Sequence, residues 1–553
     1  MDGFVRWPAD LARQYRAGGD WAGITIGAVF DRSVRAYADR PAVVSQDRRL
    51  TYSELGLLVR RFASHLLRLG LKTYDRVILQ LPNSLEFVVA YFACQKIGII
   101  PLTCLPAFRH AEVEYFANYI DAVAYFIPSE FRGFNYVQMA QEVKAKAPGL
   151  KQLFVAGGGG AGMHSIGELL GSPAEDAWQH QLEACSPDPS LPAVFLLSGG
   201  TTGNPKVIPR THDDFLCASR FSAAGTGLGQ DSVILLSLPI THVLPLACPG
   251  LQGAIMLGAK VVLAASPDPA VAFPLIERER VSYTPLVPTA LINWINSPAR
   301  SKHDLSSLRA MPTGGMKMTS ELARQARAAF GAAVMQEYGA SEGFICSTRP
   351  GDPPEWVDET QGRPVSPADE FRIVDDDGLE VAPGEVGELL GRGPYTIRGY
   401  YNAPDYNCTA FTADGFYRTG DMVRLDPSGN LVIEGRKKDM INRGGEHISA
   451  EEVEGYILNH PKVQNVAVVA MPDPGLGERA CAYVILQSGE TLTLDELNRF
   501  LLDEKRIAKF KCPERLEVVD HYLQHGLLAF YAVVQIPTKH AHIVLFSNIP
   551  LVA

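Results

Sequence analysis

The sequence predicts an α/β protein: a large N-terminal domain of layered sheets and helices with a β-rich lobe, followed by a small α+β C-terminal domain. Three observations carry this expectation. At 553 residues with 46% apolar content, the chain exceeds what one hydrophobic core organises and has enough apolar mass for more. Short apolar runs alternate with helix-like stretches, the pattern of parallel strands joined by helices. Past Ile373 the texture changes to short strands and turns. Taken in order, residues 76–81 read as a strand and 84–97 as a helix, and the pattern repeats with a strand at 260–264 and a helix at 270–279. The glycines at 157–160 mark a loop or subdomain junction, because such a run holds neither helix nor strand cheaply. Turn sequences at 375–378 (Asp-Asp-Asp-Gly) and 426–429 (Asp-Pro-Ser-Gly) delimit hairpins in the β-rich lobe. A second junction falls at 435–445, before a helix at 450–459, and sets the domains at 1–438 and 439–553.

Net charge is -10 with a pI near 5.8 and no basic block, which argues against nucleic acid or an anionic membrane as the main partner. No apolar stretch is long enough to span a bilayer, and residues 1–13 are charged where a secretory signal needs an apolar core, so a cytoplasmic location is expected. Nine cysteines without a Cys-x-x-Cys pair fit reduced thiols better than disulfides or a zinc site.

The segment Ser198-Gly199-Gly200-Thr201-Thr202-Gly203-Asn204-Pro205-Lys206 directly follows the apolar run 193–197. Glycines let backbone N–H groups converge, while the hydroxyls of Ser198, Thr201 and Thr202 and the cation of Lys206 add donors, so the loop suits a phosphate. It is not a Walker loop, because Asn204 and Pro205 separate Gly203 from Lys206. Three more motifs follow: Gln336-Glu337-Tyr338-Gly339-Ala340-Ser341-Glu342 after the turn Thr313-Gly314-Gly315, then Tyr417-Arg418-Thr419-Gly420-Asp421, then Gly435-Arg436-Lys437-Lys438-Asp439 with Asn442-Arg443-Gly444-Gly445-Glu446.

In this order the four motifs resemble the adenylate-forming superfamily of acyl-CoA synthetases, peptide synthetase adenylation domains and aryl acid-AMP ligases. The likeness is greatest to the ligases that activate 2,3-dihydroxybenzoate or salicylate and load aryl carrier proteins. It is carried by Arg210-Thr211-His212-Asp213-Asp214, residues 392–401 and Ile441-Asn442-Arg443-Gly444-Gly445-Glu446. The resemblance implies ATP and Mg²⁺ as cofactors, and an aryl acid and a phosphopantetheinylated carrier protein, or CoA, as partners. It gives Lys206 and the loop residues to the phosphates, Glu342 to Mg²⁺, and Gly314, Gly315 and Tyr338 to the adenine slot, and it counts Glu337 and Gly339 among the cofactor-binding residues. Asp421 and Arg436 fall to the ribose, His242 to the substrate carboxylate, and Asp439 to a hinge on which a mobile C-terminal domain turns. Gly444 and Gly445 would line the pantetheine path.

Two departures stand out. The acid pocket of such relatives carries His-Asn-Tyr-Pro where this chain has His242-Val243-Leu244-Pro245, and Cys248, Met316 and Ile345 occupy its other positions. Val243 cannot bond a ring hydroxyl, so these residues predict an apolar pocket that takes benzoate ahead of salicylate, with 2,3-dihydroxybenzoate last. The family's C-terminal lysine is also absent: by count it falls near Ala529, and Lys539 is the only later Lys or Arg. The composition break after Asp520 suggests a replaced tail and predicts slow adenylation, or an adenylate-binding protein with little turnover. His540-Ala541-His542 lacks the further ligands a metal needs.

Overall fold

The computed structural model describes the chain apart from residues 159, 161, 199–204, 332, 438–439, 444–445, 474–476, 506, 508, 520–522, 526–530 and 534–553. Its first layer is a seven-stranded sheet ordered Val207–Thr211, Pro192–Leu197, Ile100–Thr103, Arg76–Leu79, Ala124–Pro128, Gln152–Ala156, His164–Ser165. All neighbours run parallel except the first pair, an antiparallel hairpin in which Leu197 faces Val207. The strands on either side of the glycine run, Gln152–Ala156 and His164–Ser165, pair in this one sheet.

A second sheet, ordered Val233–Leu236, Lys260–Leu263, Pro41–Ser45, Arg48–Thr51, lies on the other side of the helices. Bridges through Tyr283 to Ile234 and Ala310 continue it into Ala310–Thr313 and Ala333–Ala340. Helix Leu85–Ile97 starts where the Ser84 hydroxyl accepts the Phe87 N–H at 3.3 Å and stops at Gly98, whose φ of +85° ends the helix in the left-handed region. It is apolar on nearly every face and is correspondingly buried all round. With helices Ile26–Ala36 and Tyr52–Arg68 it forms one core that holds Phe30, Phe62 and Phe92 between Val43 of the second sheet and Phe126 of the first.

The β-rich lobe is a meander of Glu370–Val374, Gly387–Arg392, Tyr417–Leu425 and Leu431–Arg436. Its turns form where expected: Asp375 Oδ1 accepts the N–H groups of Asp377 and Leu379, and Asp426 Oδ1 those of Ser428 and Asn430. Beyond it, Met440–Arg443, Glu446–Ser449, Val463–Asp473, Gly477–Leu486 and Arg515–Val518 make a five-stranded sheet packed by helices Ala450–Ile457 and Leu494–Arg499. This unit has its own core, with Ile448, Val453, Val484 and Leu497 inside. The expected boundary at 438/439 lies outside the described residues.

Candidate active site

Strand Ala333–Ala340 organises the site, because its alternate side chains meet different neighbours. Tyr338 points to the β-rich lobe and packs with Phe344. Its hydroxyl donates to Asp421 Oδ2 at 2.6 Å, while Arg436, paired with Asp421 across the lobe's last two strands, bonds Oδ1 at 2.6 Å. The Asp421 carboxylate is buried, and the Thr419 hydroxyl accepts its backbone N–H at 3.0 Å. A carboxylate fixed from two sides beside a flat ring can accept the hydroxyls of a sugar whose base lies on that ring.

Glu342 stands at the turn between Ala333–Ala340 and Gly343–Ser347. Gly343 has φ +116°, and a Cβ there would fall 2.3 Å from the Tyr395 carbonyl oxygen, so only glycine lets the turn approach that segment. Tyr400 donates its hydroxyl to Glu342 Oε1 at 2.7 Å and lies 3.3 Å from the Tyr417 hydroxyl, on the strand that carries Asp421. Burial beside this carboxylate raises the Tyr400 phenol far above its ordinary range. The buried guanidinium of Arg210 ties the region together, donating to the carbonyls of Ser341 (2.9 Å) and Tyr395 (3.0 Å) and to Asp214 (2.7 Å). At the loop base, the Ser198 N–H donates to the Lys206 carbonyl and the Lys206 N–H to Ser198 Oγ, both at 2.9 Å. Lys206 Nζ rests 3.8 Å from the Tyr406 ring centroid; burial lowers its pKa and the charge of Glu342 opposes that.

A pocket opens beside these groups, lined by Thr103, Phe108, Leu197, His242, Val243 and Ser341. Asn83 holds the segment before His242, donating to the carbonyls of Leu236, Leu238 and Ala264 and accepting the Ile240 N–H, and Thr103 donates to the Thr241 carbonyl at 2.9 Å. Burial pushes His242 down to about 4, so its imidazole is neutral at pH 7. Helix Val243–Ala247 leads from there to the buried Cys248, whose thiol burial pushes up to about 12.

Residues 30–401 match the family model of the AMP-binding enzymes, and residues 452–525 that of the AMP-binding enzyme C-terminal domain. The chain belongs to the AMP-binding enzyme family. It is 43% identical over 527 residues to a 2,3-dihydroxybenzoate-AMP ligase of Bacillus subtilis, covering 95% of this chain and 96% of that protein. To a salicyl-AMP ligase / salicyl-S-ArCP synthetase of Mycobacterium tuberculosis it is 44% identical, covering 93% and 91%. The apo structure of Mycobacterium smegmatis MbtA superposes with a TM-score of 0.75 at 40% identity, over 96% of this chain and 97% of that one. The superfamily resemblance and the fold class expected from the sequence are borne out.

In this AMP-binding enzyme the structure brings together Lys206, Glu342, Tyr338, Asp421 and Arg436, and sets His242 and Val243 in the adjoining pocket. Gly314 packs against Glu337, where a Cβ would sit 2.8 Å from its carbonyl oxygen; Gly315 has φ +84°, and Met316 and Leu244 are half-buried. Gly199, Gly200, Thr201, Thr202, Gly203, Asp439, Gly444 and Gly445 lie outside the described residues, as does the histidine pair of the tail. Glu337, grouped with the nucleotide contacts from its place in the motif, turns its side chain to the opposite face from Tyr338. The charge of its carboxyl acts on Cys248 and Tyr283. Sequence reasoning gave no role to Arg210, Tyr400 or Asn83. The Thr-x-x-Asp spacing at Thr211 and Asp214, which forms a capping box, was the one local signal near Arg210.

Among the described residues no group of three or more His, Cys, Asp or Glu side chains could hold a metal on its own. Glu342 nonetheless fits Mg²⁺, which takes one or two carboxylates together with phosphate oxygens and waters, and among the described residues its Oε2 has no partner. No helix of the described residues is long and apolar enough to cross a membrane.

Proposed function

We propose that this AMP-binding enzyme activates an aryl carboxylic acid with ATP, releasing pyrophosphate, and transfers the aryl group from aryl-AMP to the phosphopantetheine thiol of a carrier protein in the cytoplasm. The observation that carries this is the position of Glu342. Through Tyr400 and Tyr417 it is linked to the strand that carries Asp421, in the cluster that suits a nucleoside, and it directly follows Ser341, which lines the pocket with neutral His242. The names of its relatives point to the same acid class.

In the first step a carboxylate oxygen bonds the α-phosphorus while the bond to pyrophosphate breaks, so two anions must be held together. Neutral His242 can donate a hydrogen bond to the acid without protonating it, and Lys206 with the loop hydroxyls would hold the phosphates. Asp421 and Arg436 would grip the ribose and Tyr338 the adenine. Bound at Glu342, Mg²⁺ supplies charge neutralisation on the transferring phosphoryl group. In the second step the carrier thiol, having lost its proton, bonds the acyl carbon and AMP leaves with the electrons of the broken C–O bond.

ATP–pyrophosphate exchange over a panel of aryl and aliphatic acids tests the first step, with exchange expected only for aryl acids and only with Mg²⁺. Higher exchange with aliphatic acids would overturn the acid class. The holo carrier is expected to accept the aryl group faster than CoA, and the reverse order would make this an aryl-CoA ligase. ATP binding with no pyrophosphate release would make it the adenylate-binding protein that the missing lysine suggests.

A further inference from the structure

We propose that Glu337 determines specificity, selecting aryl acids whose ring carries a hydrogen-bond donor, an amino or hydroxyl group, on the edge away from the carboxylate. This rests on the aryl acid function above and reverses the preference for an unadorned ring that Val243 suggests.

The geometry comes from strand register. Side chains alternate along Ala333–Ala340, so Met335, Glu337 and Gly339 share a face, and the pairing of Gly339 with Ile345 puts Ile345 on that face too. Met335 and Ile345 belong to the same core as Cys248 and Tyr283, whereas Tyr338 and Phe344 belong to that of the β-rich lobe. The Glu337 carboxyl lies close enough to Cys248 and Tyr283 for its charge to act on both. His242 precedes and Cys248 follows the five-residue helix Val243–Ala247, whose length at ~1.5 Å per residue is about 7.5 Å, comparable with that of a benzoate. With the acid group at His242, a ring directed along this helix turns its far edge toward Cys248, on whose thiol the charge of Glu337 acts.

Two polar groups there lack partners. Among the described residues Glu337 has no hydrogen-bond donor, and the fully buried Tyr283 hydroxyl has no partner. Burial pushes the Glu337 carboxyl up to about 8, the mark of an acid with neither cation nor donor beside it. A bare ring would seal both groups away from water unsatisfied, whereas an N–H or O–H on the ring can donate to the Glu337 carboxyl, which offers an acceptor oxygen whether or not it carries a proton.

The test is kcat/KM in pyrophosphate exchange for benzoate and its amino- and hydroxy-derivatives, paired with calorimetric binding of the matching aryl sulfamoyl-adenosines, which does not depend on turnover. Wild type is expected to favour the best donor-bearing acid over benzoate by about 100-fold, since sites built around a buried polar group reject analogues that lack its partner. Glu337→Leu should abolish or reverse that ratio, and Glu337→Gln should retain part of it. Equal use of benzoate by wild type overturns the proposal, and so does an unchanged ratio in a Glu337→Leu protein that still binds the analogues. If no aryl acid is used and no aryl analogue binds, the aryl acid function itself fails; aryl acids bound without regard to substituent refute only the role of Glu337.

Discussion

His212 and His242 are both held neutral by burial, the first pushed down to about 3 and the second to about 4. For His212 the structural use is plain, because its Nδ1 accepts the Ile26 N–H at 3.1 Å where helix Ile26–Ala36 begins. A proton on that nitrogen would turn acceptor into donor and break the contact. The folded pKa lies below the unfolded value near 6.5, so the folded chain binds fewer protons; this contribution is complete above that pH and is lost as pH falls toward 3. Glu337 acts with the opposite sign, its raised pKa reducing stability as pH rises toward 8. His212→Asn keeps an acceptor that does not titrate. Between pH 7 and pH 5, wild type should lose about 2 kcal/mol more stability than His212→Asn, measured by urea denaturation. Equal slopes for the two proteins would show that the imidazole stays accessible to protons.

The hairpin Ala333–Ala340 with Gly343–Ser347 is the element on which both halves of the site depend, and its tip tolerates only glycine. Gly343→Ala would drive a methyl into Tyr395 and Thr396 at a φ of +116°, moving Glu342 off Tyr400. Gly351→Ala makes the comparison, since that residue has φ +90° but nothing within 4 Å of an added Cβ. Gly351→Ala should cost about 1 kcal/mol and leave activity alone, and Gly343→Ala at least about 3 kcal/mol with pyrophosphate exchange largely lost. Thermal denaturation and the exchange assay check both, and similar costs would mean that the turn relaxes around the methyl. The same hairpin shows how far the sequence is legible. Local signals, such as the helix-like stretch 84–97, the apolar runs and the Asp-rich turns, placed helices and strands to within a few residues. The order of residues 336–342 marked a nucleotide site. Which way each side chain faces was not legible, because Glu337 and Tyr338 acquire their surroundings from register with Gly343–Ser347 and from a lobe more than 80 residues on. Arg210 likewise reaches carbonyls 131 and 185 residues away, a role no short spacing encodes.

At the scale of the molecule, two separately cored units divide the chemistry. The nucleotide cluster and acid pocket belong to the large N-terminal unit, and the C-terminal sheet closes around its own core. The C-terminal family match runs to residue 525, and the 28 residues beyond it contain one lysine, Lys539, and no arginine. In the family this chain resembles, a lysine of that region enters the active site during adenylation and leaves for thioester formation. Its absence should therefore burden the two half-reactions unequally. Replacing residues 521–553 with a lysine-bearing tail is expected to raise aryl-acid-dependent pyrophosphate exchange by about 100-fold, the usual weight of one charge-assisted contact made in the transition state. Carrier loading from pre-formed aryl-AMP should change by less than about 3-fold, because the lysine takes no part in that step. If exchange does not rise while a lysine-to-alanine copy of the same tail behaves identically, a cation outside the replaced segment, Lys206, already neutralises the transferring phosphoryl group. A parallel rise in both half-reactions would instead mean that the tail acts on the pose or folding of the C-terminal unit rather than on the chemistry.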